Sequence, residues 1–167
     1  QQNHTYGLAS WIPLYGTGQN QFEPYGLRSC LCPFINTCYD LRRKDADWPA
    51  VRRMLDEWER FKPYYLGDYY PLTPYSTENN VWAAWQFHRG DMGEGMVMAF
   101  RRPDCIYESA RFRLQGLEPD RKYRITNVDT GKSVTLKGSA AMADGCLVSL
   151  PECPQSGLIL YKALSLQ

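Results

Sequence analysis

The chain's six cysteines and two histidines are the residue types best suited to bind a metal or to serve as nucleophile and base. Cys30 and Cys32 would share one face of a strand, Cys38 follows at no metal-like interval, and Cys105, Cys146 and Cys153 are scattered. Only His4 and His88 could complete a zinc site, and neither has the spacing that tetrahedral sites use, so no metal and no cofactor is expected. A thiol enzyme built from Cys38 or Cys146 with His4 or His88 lacks any nucleophile motif. Free buried thiols are the simpler reading, and they favour a reducing, cytoplasmic compartment. Among the carboxylates, Asp40, Asp45 and Asp47 crowd a charged loop, and Asp68 and Asp91 fall in turns. Caps and surface ion pairs account for each of them, so no catalytic residue is assigned. Asp129-Thr130-Gly131-Lys132 reads as a tight hairpin turn; a phosphate loop would need a glycine-rich cradle before the lysine and a helix after it.

Apolar patterning sets the elements that would carry these residues. The clearest stretch is Val81–Arg102, where Val81–Phe87 and Gly95–Phe100 are each about one strand long and the turn formers His88–Gly93 lie between them, which makes a β-hairpin. Trp82, Trp85 and Phe87 cannot all face one side of a strand, so both faces of this sheet are covered. Five shorter runs follow, at Tyr107–Leu114, Lys122–Val128, Ser133–Leu136, Gly145–Leu150 and Gly157–Leu164, separated by turn clusters. They extend the hairpin into an antiparallel sandwich of about seven or eight strands, with no long helix after Val81.

Upstream, Tyr6–Leu14 and Arg28–Ile35 read as short buried parallel strands. Asp47 then caps a helix that runs to Lys62 before Pro63, with Trp48, Val51, Leu55, Trp58 and Phe61 on its apolar face. Strand, strand and helix make a slice of an α/β layer. Tyr64–Tyr75, with five tyrosines and no regular period, reads as an extended seam. The expected division is residues 1–75 and residues 76–167. A net charge of +1 with 44% hydrophobic and 22% charged residues directs no strong field at nucleic acid or membrane, and no apolar run approaches the roughly 20 residues of a membrane helix. The opening QQNHTYG has neither initiator Met nor signal pattern, which suggests a processed chain or a fragment.

The segments GDYYPLTPYS, VWAAWQFHR, GEGMVMAFRR and ARFRLQGLEPDRKYRITNVDTGKSVTL, with the closing GLILYKAL, resemble the C-terminal part of α-galactosidase-like glycoside hydrolases, the melibiase group of families 36 and 27. In that group a (β/α)8 barrel is followed by a small β-sandwich, and the phrase carried here by Gly116-Leu117-Glu118-Pro119, Tyr123 and Asp129-Thr130-Gly131 recurs in the sandwich. Upstream, SWIPLYGTG and the stretch from RSCLCPFINTCYDL to the helix resemble the last two strand-loop units and last helix of such a barrel. The resemblance therefore implies an α+β chain: the end of a barrel, then a sandwich that supports it.

It implies further that the parent enzyme hydrolyses α-linked galactosides or related sugars. Its two catalytic aspartates would lie on earlier barrel strands absent from this chain, which alone would be inactive. Partners would be carbohydrate through the parent and the upstream barrel segment, and the open strand edges would allow self-association. Because barrel sites are built at strand exits, Tyr15, Gly16 and Thr17 after one strand and Asn36 after the other are the candidate substrate contacts, with Trp11 or Tyr15 stacking on sugar. The alternative is a non-catalytic carbohydrate-binding or structural sandwich, which would need an exposed aromatic row supplied by Trp82, Trp85 and Tyr107.

Overall fold

A computed structural model describes residues 1–165. Its largest element is a six-stranded antiparallel sheet, ordered β3 (Asp68–Pro71), β4 (Trp82–Arg89), β5 (Glu94–Arg101), β10 (Gln155–Ala163), β7 (Lys122–Asn127) and β8 (Ser133–Lys137). The β4–β5 pair is the expected hairpin, and Gly93 at φ +62° supplies the left-handed residue that closes its turn. A two-stranded antiparallel pair, β6 (Ser109–Phe112) and β9 (Cys146–Ser149), covers one face and completes the sandwich. The cluster KGSAAMADG, read as a turn, holds the short helix α4 (Gly138–Ala143), whose Ala141 is buried in the sandwich core.

The parity of β4 separates two cores. Ala84, with Val97, Ala99, Ile159 and Tyr161 across the sheet, packs against Phe112, Val148 and Leu150 of the covering layer. Ala83, Trp85 and Phe87 face the other way, with Met96, Met98, Phe100 and Leu158, onto the N-terminal helices. Both faces of the hairpin are thus covered, as its tryptophan spacing requires. Trp85 is fully buried against the helical layer and Trp82 is half-buried against Phe112, so the exposed aromatic row needed by a sugar-binding sandwich does not form; only Tyr107 is exposed.

The N-terminal region differs from its expected outline. Tyr6–Leu14 is not a strand: Gln2–Ala9 forms helix α1, and the first strand, β1, comes later at Gly16–Gln19. Tyr6 holds α1 in place, its hydroxyl donating to the Thr73 carbonyl at 2.6 Å and its ring meeting Tyr69, Tyr75 and Trp85. Arg28–Ile35 is split between helix α2 (Pro24–Ser29) and strand β2 (Phe34–Thr37), which pairs in parallel with β1. The seam is not without structure either, because it contains a 3-10 turn at Lys62–Leu66 and the edge strand β3.

Helix α3 (Trp48–Phe61) forms as its pattern predicts, with Asp47 accepting from the Ala50 amide at 2.9 Å and Pro49 in the first turn. Its buried face is Ala50, Val51, Met54 and Phe61, whereas Trp48 and Leu55 are exposed. Trp58 is only half-buried: its indole donates to the Cys32 carbonyl at 2.8 Å and Lys62 lies over its ring. Trp58→Ala should therefore cost about 2 kcal/mol, below the 3–5 kcal/mol of a fully buried indole. Urea titration checks this, and a loss of 3 kcal/mol or more would mean that the ring is more enclosed than its exposure indicates.

Arg28 joins the two layers. Its guanidinium meets Glu57 of α3 at 2.6 Å, Asp129 in the β7–β8 turn at 2.5 Å and the Ser156 carbonyl of β10 at 3.4 Å. Burial pulls its pKa down, but the hydrogen-bonded carboxylates of Asp129 and Glu57 more than restore it and keep the charge fixed.

A second buried polar set lies inside the sandwich. The Gln86 amide exchanges hydrogen bonds with the Gln115 backbone and also donates to the Tyr161 hydroxyl at 2.7 Å. The same hydroxyl shares a hydrogen bond with His88 Nδ1, 2.9 Å away. Gly95, directly across from both His88 and Tyr161, makes room because a Cβ there would strike the Tyr161 phenol. Burial pushes the His88 pKa below its ordinary 6.5, with Asp68 pulling the other way. The unfolded imidazole thus binds protons more readily than the folded one. Its contribution should be intact above pH 6.5 and fade as pH falls through the lowered folded value. Unfolding midpoints at neutral and mildly acidic pH should separate in the native chain and converge in His88→Asn; an equal slope in both would assign the acid sensitivity to another group.

Candidate functional site

The parallel pair β1–β2 is where strand exits, backbone gaps and polar side chains coincide. Its register sets Gly16 opposite Phe34, Thr17 opposite Ile35, Gly18 opposite Asn36 and Gln19 opposite Thr37. Alternation gives the pair two unlike faces. Thr17, Gln19 and Ile35 turn inward, where the Gln19 amide reaches Met54 Sδ of α3 at 3.8 Å. Gly16, Gly18, Phe34 and Asn36 form the other face, on which both Phe34 and Asn36 are exposed. A Cβ on Gly16 would lie 3.0 Å from the Phe34 ring, and one on Gly18 would lie 3.1 Å from Cys38 Sγ. The two glycines therefore let Phe34 and Cys38 lean across the neighbouring strand.

The structure divides the five candidate contacts. Gly16 and Asn36 come together on the open face. Tyr15 and Thr17 are buried behind it, and burial beside Cys32 and Tyr69 pushes the Tyr15 hydroxyl far up, with no hydrogen-bond partner for its oxygen. Trp11 is 77% exposed in the turn after α1. Because β1 begins at Gly16, residues 15–17 stand at the strand's entry and not at its exit.

The exits hold residues that the early placement of the first strand overlooked. Phe22 and Tyr39 have ring centroids 5.1 Å apart, Trp48 meets Tyr39 edge-on at 5.7 Å, and Arg43 lies over the Phe22 ring. The Tyr39 hydroxyl ties the two exits together by donating to the Gln21 carbonyl at 2.7 Å. The legible signal was the pair of glycines spaced by one residue in GTGQ, which marks a strand allowing close approach on one face.

The nearby carboxylates are engaged structurally. Asp40 pairs with Arg42 and Asp45 with Arg43, each arginine holding its partner below the usual carboxylate range, while Asp47 caps α3. Asp91 pairs with Arg89 in the hairpin turn. Burial raises the Cys146 thiol to about 11, and His88 is committed to Tyr161, so neither serves as half of a thiol–imidazole pair. No group of three or more His, Cys, Asp or Glu among the described residues could hold a metal ion.

Comparisons with known proteins bear on the fold. Residues 82–159 match the glycosyl hydrolase family 36 C-terminal domain. No curated protein matches the chain. Solved structures similar to it include the galactosidase domain of the α-galactosidase-sucrose kinase AgaSK, at TM-score 0.75 and 17% identity, over 98% of this chain and 24% of that one. The GH36 α-galactosidase AgaB from Geobacillus stearothermophilus aligns at TM-score 0.63 and 20% identity over 92% of this chain and 21% of its own. AgaA from the same organism aligns at 0.66 and 16% over 90% and 22%. The chain thus spans less than a quarter of the length of these structures, and the likeness to them is one of fold. The chain is thus similar over residues 82–159 to the C-terminal domain of glycosyl hydrolase family 36, and in fold over nearly its whole length to part of solved GH36 α-galactosidases.

Proposed function

We propose that this chain is the C-terminal region of an enzyme hydrolysing α-linked galactosides or related sugars, and that its sandwich buttresses the catalytic barrel. In this reading residues 1–75 hold the last two strand units and last helix of a (β/α)8 barrel, and residues 76–167 are the sandwich, with β3 as the part of the seam that pairs onto the sheet. The observation that carries the reading is the order β1, α2, β2, α3, with the strands parallel and α3 meeting the inner side of the pair through Met54, docked on the six-stranded sheet through Arg28. Substrate would lie over the open face, where Asn36 donates to a hydroxyl and Gly16 leaves room for the ring. Trp11 would stack at the margin, with Tyr15 and Thr17 supporting from behind.

Retaining hydrolysis needs two carboxylates about 5 Å apart on either side of the scissile bond. In this reading both belong to upstream strands, because Asp40, Asp45 and Asp47 are held in pairs and a cap. Two strands also leave most of a barrel wall open to water, and their outer edges would pair with the upstream segment or, in isolation, with a second copy.

A chromogenic α-galactoside tests the proposal. The 167-residue chain alone should give no turnover, the polypeptide that includes the upstream barrel should turn over, and Asn36→Ala in that polypeptide should raise KM. Turnover by the isolated chain that is lost in Asp40→Asn or Asp45→Asn would overturn the assignment. So would an upstream-extended polypeptide that binds no galactoside.

A further inference from the structure

We propose that Cys105 and Cys153 form a redox-linked pair that closes a disulfide between the β5–β6 and β9–β10 loops. The loops leave the same end of two neighbouring strands, since β5 and β10 finish their ladder at Arg101 opposite Gln155. Paired residues in such a ladder hold their Cα atoms about 4.5–5.5 Å apart, a separation that a disulfide also spans. Cys105 lies four positions beyond Arg101, but the chain turns back there, its amide donating to the Arg102 carbonyl at 3.0 Å. Cys153 drops its sulfur into that same turn, 3.1 Å from the Arg102 oxygen, 3.0 Å from that of Pro103 and 3.7 Å from that of Cys105.

The buried Arg101 guanidinium holds the loops together, donating to the Cys105 carbonyl on one side and to the Leu150 and Pro151 carbonyls on the other at 2.9–3.0 Å. The remaining cysteines lack this convergence: Cys146 is enclosed in the sandwich core, and Cys30, Cys32 and Cys38 belong to the N-terminal layer.

Exposure sets the order of events. Cys153 is exposed and Cys105 buried, so Cys153 meets an oxidant first. Its thiolate attacks a low-molecular-weight disulfide such as glutathione disulfide, forming a mixed disulfide and releasing one glutathione thiolate. The Cys105 thiolate then attacks the Cys153 sulfur, forming the protein disulfide and releasing the second glutathione. Two protein thiols are oxidised with loss of two protons, and one small disulfide is reduced to two thiols. Cys105 Sγ is turned to the Tyr107 carbonyl at 3.8 Å and Cys153 Sγ to the carbonyls of the turn, so closing the bond requires both side chains to rotate toward each other.

The test is incubation of the folded protein with glutathione disulfide, followed by alkylation and peptide mapping. The expected product has lost two hydrogens, yields a peptide linking Cys105 to Cys153, and melts at least about 5 °C higher because a long loop is now closed. Dithiothreitol should reverse all three changes, and Cys153→Ser should abolish them. A stable glutathione adduct at Cys153 with Cys105 still open to alkylation after unfolding would overturn the proposal, as would linkage of either cysteine to a third, or a melting shift that persists in Cys153→Ser.

Discussion

Replacing Trp85 with alanine should lower the unfolding free energy by about 3–5 kcal/mol. The indole is fully buried in the layer between the six-stranded sheet and the N-terminal helices, stacked at a tilt on Phe100 with centroids 5.1 Å apart and met edge-on by Tyr6. Its removal leaves a cavity where the two halves of the chain meet, so the loss includes both transfer and unfilled space. Trp85→Phe discriminates. The indole nitrogen has no hydrogen-bond partner, so phenylalanine keeps most of the contact and removes an unsatisfied donor, and it should recover more than half of the loss. Urea midpoints with an unchanged slope measure both variants, and equal losses would show that ring packing is not what Trp85 contributes.

Arg28→Ala is expected to destabilise by about 3 kcal/mol, the lower end for a broken buried ion pair because the Asp129 side chain keeps 38% of its exposure. What remains is Glu57 facing a gap, with no cation among its described contacts other than the lost guanidinium. The triple change Arg28→Met, Glu57→Gln and Asp129→Asn should cost much less than Arg28→Ala, because it removes the stranded charge with its partner. If the triple variant is the worse of the two, the ion network itself is net stabilising.

The sandwich was legible, apart from its edge strand β3, because its strands declare themselves locally. Trp82–Arg89 and Glu94–Arg101 are long and flanked by turn formers, and Lys122–Asn127 opens with charged and apolar residues in alternation, Lys122, Tyr123, Arg124 and Ile125. Helix α3 was equally plain from its cap, its proline and its apolar stripe, although Trp48 and Leu55 show that an apolar stripe can be wider than the face that is buried. Helix α1 was not legible. QNHTYGLA carries no apolar face, and its helix is fixed by contacts far along the chain, Tyr6 to Thr73 and Gln2 to Ser29. Strand β1, with the sequence GTGQ, has no apolar residue at all and owes its extended state to pairing with β2. Half of the candidate site followed from this. Asn36 was expected just past the second strand and lies within it, in β2, while shifting the first strand upstream turned the entry residues Tyr15–Thr17 into exit residues and hid the cluster of Phe22, Tyr39 and Trp48.

The position of β10 bears on how the molecule is made. It comes after every other strand among the described residues, yet lies in the middle of the six-stranded sheet, between β5 and β7. During synthesis, the three-stranded piece β3–β4–β5 and the hairpin β7–β8 emerge with inner edges that have nothing to pair with. Both cores stay unfinished as well, because Leu158 belongs to one and Ile159 and Tyr161 to the other. The six-stranded sheet can therefore close only once residues 155–163 have left the ribosome, and a chain stopped before them would carry two half-sheets with open inner edges.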